Sequence, residues 1–496
     1  MDKRKIFKIL AVKLLLVMAL SVSGLLQAQD TEKFWKVSGN VTDKSNDPIL
    51  GVSITIKGKD KGIVSDVYGK YSINVSSQND VLVFTYIGYE KQEITVGKQE
   101  TIDVVMDEGE IIAPAKPINL TQKQSEKTEA DNSFSFKMFN EVSKIEGINT
   151  FFSPFSLNMV MGMLYIGSSG NTRDEIVKSL GLSGFSESEI NEYYQKISQA
   201  LLEVDPVTDM VIANSIWYKN SVTLRESFIE NCKKYFDANV QALDFSNSNA
   251  ANIINSWCAD KTRNKFNQIA PSPLPDNMMM YMINALYFKS KWNSGNKFNK
   301  SNTKLDDFNK ANGEKIKVNM MEQTKVLPYY SDERLQCVEL PYGNNAFSMI
   351  VILPSENENL NKLIEHLGDV KWGNIVNSMK NETVWLKLPR FKIDCDFSLL
   401  QPLMNSGIEQ IFSGGFENIS DSHFWVSAIK QKTFVEVNEE GTEASAITEV
   451  ITIGYGGLAK PKEPVRFFAD RPFLFLIREK STGVILFIGR VDEPRE

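Results

Sequence analysis

The residues able to do chemistry in this chain are few. Two histidines, His366 and His423, stand 57 positions apart in 496 residues, so no H-E-x-x-H helix and no cluster of imidazole ligands forms from them. Four cysteines, Cys232, Cys258, Cys337 and Cys395, are widely spaced and include no C-x-x-C pair. That removes zinc fingers and thioredoxin-type exchange and favours buried free thiols over disulfides. The nearest approach to a serine nucleophile is Gly167-Ser168-Ser169-Gly170, which lacks the G-x-S-x-G spacing that lifts a serine onto a strained turn. Neither a metal nor another cofactor is implied. The net charge of −7 comes without long basic runs, which gives no electrostatic case for nucleic acid.

One segment offers the chemistry of a substrate instead. From Phe434 the chain runs through a strand pattern into Glu439-Glu440-Gly441-Thr442, then through small and β-branched residues, then into a loop rich in glycine and proline. Read with period two, Thr442, Ala444, Ala446, Thr448, Val450 and Thr452 share an uncharged face, while Glu443, Ser445, Ile447, Glu449, Ile451 and Ile453 share the other. Such a chain is competent to be a strand, yet it ends in a segment of the kind proteases cut. Periodicity alone fits an ordinary strand and loop; it also fits two states, exposed and inserted.

Other elements must carry that segment. Lys3, Arg4, Lys5 and Lys8 precede the apolar run Leu14 to Leu26, too short to span a bilayer and typical of a secretory signal, with cleavage expected after Ala28. No later run is long and apolar enough for a transmembrane anchor. Between Trp35 and Glu108, period-two strands at Val37–Val41, Val52–Ile56, Tyr71–Val75, Val81–Tyr86 and Ile102–Met106 alternate with turn signals such as Asn46-Asp47-Pro48. That spacing predicts a small all-β sandwich. Its V-S-G-N-V-T-D, D-P-I-L-G-V-S-I-T-I-K-G and F-T-Y-I-G-Y-E segments resemble the carboxypeptidase regulatory-like domain, whose role here is either a spacer or a docking module. Residues 109–126 carry Pro114 and Pro117 without sustained periodicity, and read as a linker. Residues 127–496 mix helical patterns, including a helix from Pro154 to Ile166 that is apolar nearly all round, with strand-like runs at Phe347–Leu353, Val384–Leu388, Phe473–Ile477 and Val484–Ile488. Helices first and strands later, without βαβ regularity, indicate an α+β fold.

Six ordered motifs then carry a second resemblance. They are N-T-F-F-S-P-F-S-L at Asn149–Leu157, G-N-T-R-D-E-I at Gly170–Ile176, I-A-N-S-I-W at Ile212–Trp217, I-N-A-L-Y-F-K-S-K-W at Ile283–Trp292, L-P-R-F-K-I at Leu388–Ile393 and F-A-D-R-P-F-L-F-L-I at Phe468–Ile477. Together with E-E-G-T-E-A-S-A at Glu439–Ala446, they resemble the serpins, the serine protease inhibitor family. The resemblance implies a serpin fold of three β-sheets and eight to nine helices. It also makes Glu439, Glu440, Gly441, Thr442, Glu443, Ala444, Ser445 and Ala446 the hinge of a reactive loop that inserts into a sheet. Ser153, Ser156 and Asn284 match the family's shutter, the polar cluster beneath the sheet that must part, and the family's shutter histidine falls at Gln431. Trp292 matches the breach tryptophan at the top of that sheet, and Arg390 with Glu439 matches an ion pair there. Counting from Gly441, the family's scissile bond falls at Tyr455–Gly456, with Leu458–Ala459 the alternative.

The resemblance makes the expected function that of a secreted suicide inhibitor of serine, and by extension cysteine, endopeptidases. It would be located in the periplasm, at the outer membrane or outside the cell, with envelope docking through the N-terminal domain. Its partner would be the target protease, held in a covalent complex. The alternative is a non-inhibitory carrier or chaperone on the same fold.

Overall fold

The computed structural model describes residues 35–442 and 463–496, apart from 45, 58, 60–61, 87–88, 90–91, 107–113, 146–148, 276 and 357. The described chain forms two compact units, divided within residues 111–112.

The N-terminal unit contains strands β1 (Trp35–Thr42), β2 (Ser53–Ile56), β3 (Gly62–Val64), β4 (Lys70–Val75), β5 (Val81–Thr85), β6 (Gln92–Thr95) and β7 (Val104–Val105). They make one sheet in the order β4-β1-β7 and another in the order β3-β2-β5-β6. Alternation sets the inner faces: β4 buries every second residue, with Tyr71, Ile73 and Val75 inward. These join Val37, Ile54, Phe84 and Met106 in one core. Strands β3 and β6 add to the five that the sequence predicts. Neither has a fully buried residue, so neither writes a strong apolar period into the sequence.

The larger unit begins earlier than the sequence suggests. Helix α1 (Gln122–Ile145) starts inside the segment expected to be linker, and the residues before it are ordered as well. Ala115, Ile118 and Leu120 pack against the large core, and the Ala115 and Ile118 amides donate to Asn344 O and Ser481 Oγ. Pro114 and Pro117 keep this stretch out of a helix, while the apolar residues between and after them are partly buried.

Strand β8 (Thr150–Phe152) follows, then α2 (Pro154–Gly167), α3 (Gly170–Ser179) and α4 (Glu187–Glu203). Pro154 suits the first turn of α2, where its missing N–H costs nothing, and all fourteen residues of this helix are buried. A capping box between Ser186 and Glu189 starts α4. Next come β9 (Asp209–Lys219), α5 (Glu226–Phe236), β10 (Ala238–Leu243), α6 (Ala250–Lys261) and β11 (Met280–Lys291).

Strands β12 (Lys304–Asn309), β13 (Lys315–Ser331), β14 (Leu335–Pro341) and β15 (Phe347–Pro354) lead to α7 (Leu360–Asp369) and α8 (Trp372–Asn377). The chain closes with β16 (Lys380–Pro389), β17 (Phe391–Ser398), α9 (Leu400–Asn405), β18 (Ala428–Asn438), β19 (Gly441–Thr442), β20 (Val465–Phe468), β21 (Phe473–Glu479) and β22 (Ile485–Val491).

These strands make a six-stranded central sheet, in the order β10-β9-β11-β19-β18-β17, and a continuous nine-stranded one. In the latter the long strand β13 pairs with β12 and β16 along one part and with β14 at its end; β20 lies outside β16, and β14-β15-β21-β22-β8 continue on the other side. Strand β11 explains its own apolar run, because it is covered on both faces. Met280, Met282, Leu286 and Phe288 face the large core containing α2. Tyr281, Ile283 and Ala285 face a second cluster, with Ile254 and Cys258 of α6. Strands β17 and β18 instead alternate strictly between buried and less buried positions.

Candidate functional site

At the top of the central sheet stand Glu439 to Thr442, the described part of the expected hinge. β19 is two residues long and antiparallel to both neighbours, Thr442 opposite Ser290 and Val437, and Gly441 opposite Lys291 and Asn438. The Trp292 amide adds a bond of 2.8 Å to Glu440 O. Gly441 has φ +146°, and a Cβ there would lie 2.3 Å from Ser290 O and 2.6 Å from Lys291 Cα. Only glycine lets the hinge backbone come this close to β11.

Side chains fasten the same point. The Trp292 ring stacks on Tyr342, with centroids 4.6 Å apart and planes at 8°, while its indole N–H donates to Asn438 O at 2.9 Å. Tyr342 Oη and Thr442 Oγ1 share a hydrogen bond of 2.7 Å. Arg390, just before β17, donates from Nε to both oxygens of Glu439 at 3.0 Å, and from Nη2 at 2.7 Å. Thr303 Oγ1 is a further donor to that carboxylate. Burial pushes the Glu439 carboxyl up, but the Arg390 guanidinium and the Thr303 hydroxyl outweigh it and leave the group below the usual glutamate range. Glu440 is also buried, with Lys297 and Lys300 each 3.9 Å from its carboxylate.

Lower in the sheet a row of amides crosses three strands. Asn214 on β9 is the register partner of Asn284 on β11, and Asn284 is that of Gln431 on β18. Period two puts all three side chains on the face toward α2, and all three are buried. Gln431 Oε1 accepts from the Ser153 amide and Gln431 Nε2 donates to Ser153 O, both at 2.8 Å. Ser153 caps α2, its Oγ accepting from the Ser156 amide at 3.3 Å and donating to Leu486 O at 2.8 Å. Asn284 Nδ2 donates to Asn214 Oδ1, and Asn214 Nδ2 to Phe236 O at 2.7 Å. Asn284 Oδ1 and Ser156 Oγ are buried without a hydrogen-bond partner. Each such group costs about 1–3 kcal/mol.

The structure therefore gathers Trp292, Arg390, Glu439, Gly441 and Thr442 at one point, and Ser153, Ser156, Asn284 and Gln431 near another. Glu443, Ala444, Ser445 and Ala446 lie outside the described residues, as do Tyr455–Gly456 and the expected signal segment. Tyr342, Thr303 and Asn214 join these points without being singled out by sequence. Asn214 stands inside I-A-N-S-I-W, so its motif is visible although its bond is not. Tyr342 and Thr303 carry no local signal.

Burial pushes the thiols of Cys232 and Cys337 well up and that of Cys258 to about 12, which removes them as nucleophiles at neutral pH. Among the described residues no group of three or more His, Cys, Asp or Glu side chains is placed to hold a metal. No described helix is long and apolar enough to cross a membrane.

The larger unit is α+β, and its central sheet holds the two-residue β19 between β11 and β18. Residues 129–494 match the serpin (serine protease inhibitor) family and residues 37–113 the CarboxypepD_reg-like domain. The chain belongs to the serpin family, which places it among protease inhibitors and not among proteases. It is 33% identical over 374 residues to Iripin-1 of Ixodes ricinus, covering 74% of this chain and 94% of that protein. It is 31% identical over 392 residues to human Serpin B4, covering 74% and 99%. Among solved structures it is similar to tengpin, a thermophilic serpin in its native state, with TM-score 0.69, 28% identity and coverage of 77% and 97%. It is also similar to Arabidopsis AtSerpin1 in its native stressed conformation, with TM-score 0.67, 29% identity and coverage of 76% and 100%.

Proposed function

We propose that this serpin is exported and inhibits serine endopeptidases, and cysteine ones where they accept the loop, by trapping them as acyl-enzymes. A protease attacks Tyr455–Gly456, the tyrosine suiting an apolar, chymotrypsin-like specificity pocket. The freed hinge, Glu443 to Ala446 leading, then extends β19 down between β11 and β18. About ten new backbone hydrogen bonds at roughly 1 kcal/mol each, with burial of small side chains, give about 10–15 kcal/mol. That rivals the stability of a whole domain, so it can distort the attached protease and stall deacylation. The observation that carries this reading is β19 itself, already paired with both strands between which the rest would insert. Gel electrophoresis after incubation with chymotrypsin-, elastase-, trypsin- and papain-like proteases tests it. A denaturant-stable complex is expected with at least one, and mass spectrometry should find the cut after Tyr455.

For the N-terminal sandwich we propose docking at the cell envelope. Of the ten large apolar side chains standing exposed among the described residues, six are in this unit: Leu50, Val64, Val67, Tyr68, Tyr86 and Val105. Exposed apolar groups concentrated on one small unit favour an interaction surface over a spacer. Deleting residues 29–108 should release the protein from the envelope fraction; unchanged fractionation would refute docking.

A further inference from the structure

We infer that Gln431 is a positioning residue that splits the shutter row into two separately anchored halves, so that β11 and β18 part there without breaking a side-chain hydrogen bond. The inference deepens the insertion reading and rests on it for its effect on inhibition.

Asn284 and Gln431 are direct register partners in the parallel pair of β11 and β18, on the same face, where two neighbouring amides could bond to each other across the strands. Each is committed elsewhere. Both ends of the Gln431 amide go to the peptide of Ser153, and Ser153 is in turn fixed to Leu486 O of β22. Two residues along β18, Thr433 Oγ1 donates to Phe151 O at 2.5 Å. The whole of this half is tied to the α2 cap and to the sheet containing β8 and β22. On the other side, Asn284 Nδ2 is bound to Asn214 of β9, and Asn214 to the carbonyl ending α5. That half stays together if β9 and β11 move as one.

The remaining acceptor, Asn284 Oδ1, faces no donor, although Gln431 stands beside it in register. The Gln431 amide has two N–H donors and a carbonyl; one N–H and the carbonyl go to the Ser153 peptide, which fixes the amide plane toward Ser153 and leaves no bond to Asn284. The ties that do cross from one strand to the other lie beyond this row. At the foot, the Met279 amide donates to Ser427 Oγ at 2.8 Å; at the top, the Trp292 indole reaches Asn438 O. Between Tyr281–Asn284 and Ala428–Gln431, parting the strands costs the backbone ladder and no side-chain bond among the described residues. A side chain at 431 that donated to Asn284 Oδ1 would add a cross-tie and slow the opening.

Two variants of the full chain test this, Gln431→His, which can supply that donor, and Asn284→Ala, which removes an amide that does not touch β18. Hydrogen exchange at those amides of residues 280–284 that are directed toward β18 reports opening of the seam without any protease. Exchange there should slow about tenfold in Gln431→His and stay within about twofold of the parent in Asn284→Ala. The stoichiometry of inhibition of chymotrypsin reports the race between insertion and deacylation. It should rise at least about twofold in Gln431→His, a kinetic effect that a purely structural glutamine would not produce.

Unchanged exchange in Gln431→His, or a large acceleration in Asn284→Ala, overturns the inference. If Gln431→His does not fold, Asn284→Ala alone decides it. A parent chain that traps no protease while the exchange results hold would sink the insertion reading and leave the divided row standing.

Discussion

The expected breach at the top of the seam between β11 and β18 and the expected shutter lower down are built in opposite ways. At the breach, bonds converge on the hinge. Arg390, Thr303, Tyr342, Trp292 and Asn438 all contact residues 439–442 or the strand ends beside them. The ties are charge-assisted or made by aromatic side chains, and buried or partly buried. At the shutter, bonds diverge from the seam, and buried oxygens are left over at Asn284 and Ser156. Under the proposed insertion, the sheet needs a firm grip where the incoming strand is aimed and a weak one where the strands separate, and the two sets of bonds are distributed in that way.

The largest effect that would break the contrast is Gly441→Ala. The new Cβ would lie 2.3 Å from Ser290 O, and undoing that clash should cost about 3 kcal/mol or more. The yield of trapped protease should fall at least tenfold while the loop is still cut, as gel densitometry would show. Arg390→Met should come next. It leaves Glu439 buried without its guanidinium, a loss of roughly 3 kcal/mol in native stability by denaturant unfolding.

The same pair sets a pH dependence. Glu439 is held below its ordinary value of 4.5 in the folded chain, so the unfolded chain takes up the proton first. Its contribution is therefore complete above about pH 5, and is lost as pH falls through the ordinary and then the depressed value. Melting temperature against pH should show this acid limb in the parent and a shallower one in Arg390→Met.

Smaller changes sharpen the comparison. Ser153→Ala removes the α2 cap and the bond to Leu486 O, for about 1–2 kcal/mol. Trp292→Phe keeps a ring over Tyr342 but loses the indole donor to Asn438, for about 1 kcal/mol by the same unfolding assay.

Much of the fold is legible in the sequence, for identifiable reasons. The buried helix Pro154–Gly167 and the strands Phe347–Pro354 and Phe473–Glu479 announce themselves because every residue is buried and the sequence is largely apolar. Gly441, Trp292 and Arg390 stand in local motifs, so their positions can be read directly. Their partners cannot. Tyr342 reaches Thr442 across 100 positions and Gln431 reaches Ser153 across 278, distances that only the register of the sheets resolves. The same holds for the extended stretch before α1, where apolar residues without period pack against a core that the local sequence does not reveal.

The central claim is that cleavage of the loop releases a strand into the seam between β11 and β18. Its most direct test is the melting temperature of the full chain before and after limited cleavage by a protease that cuts within residues 443–462. The account predicts a rise of tens of degrees in the cleaved protein, as expected for a gain of about 10–15 kcal/mol. An unchanged or lower melting temperature after cleavage would contradict it.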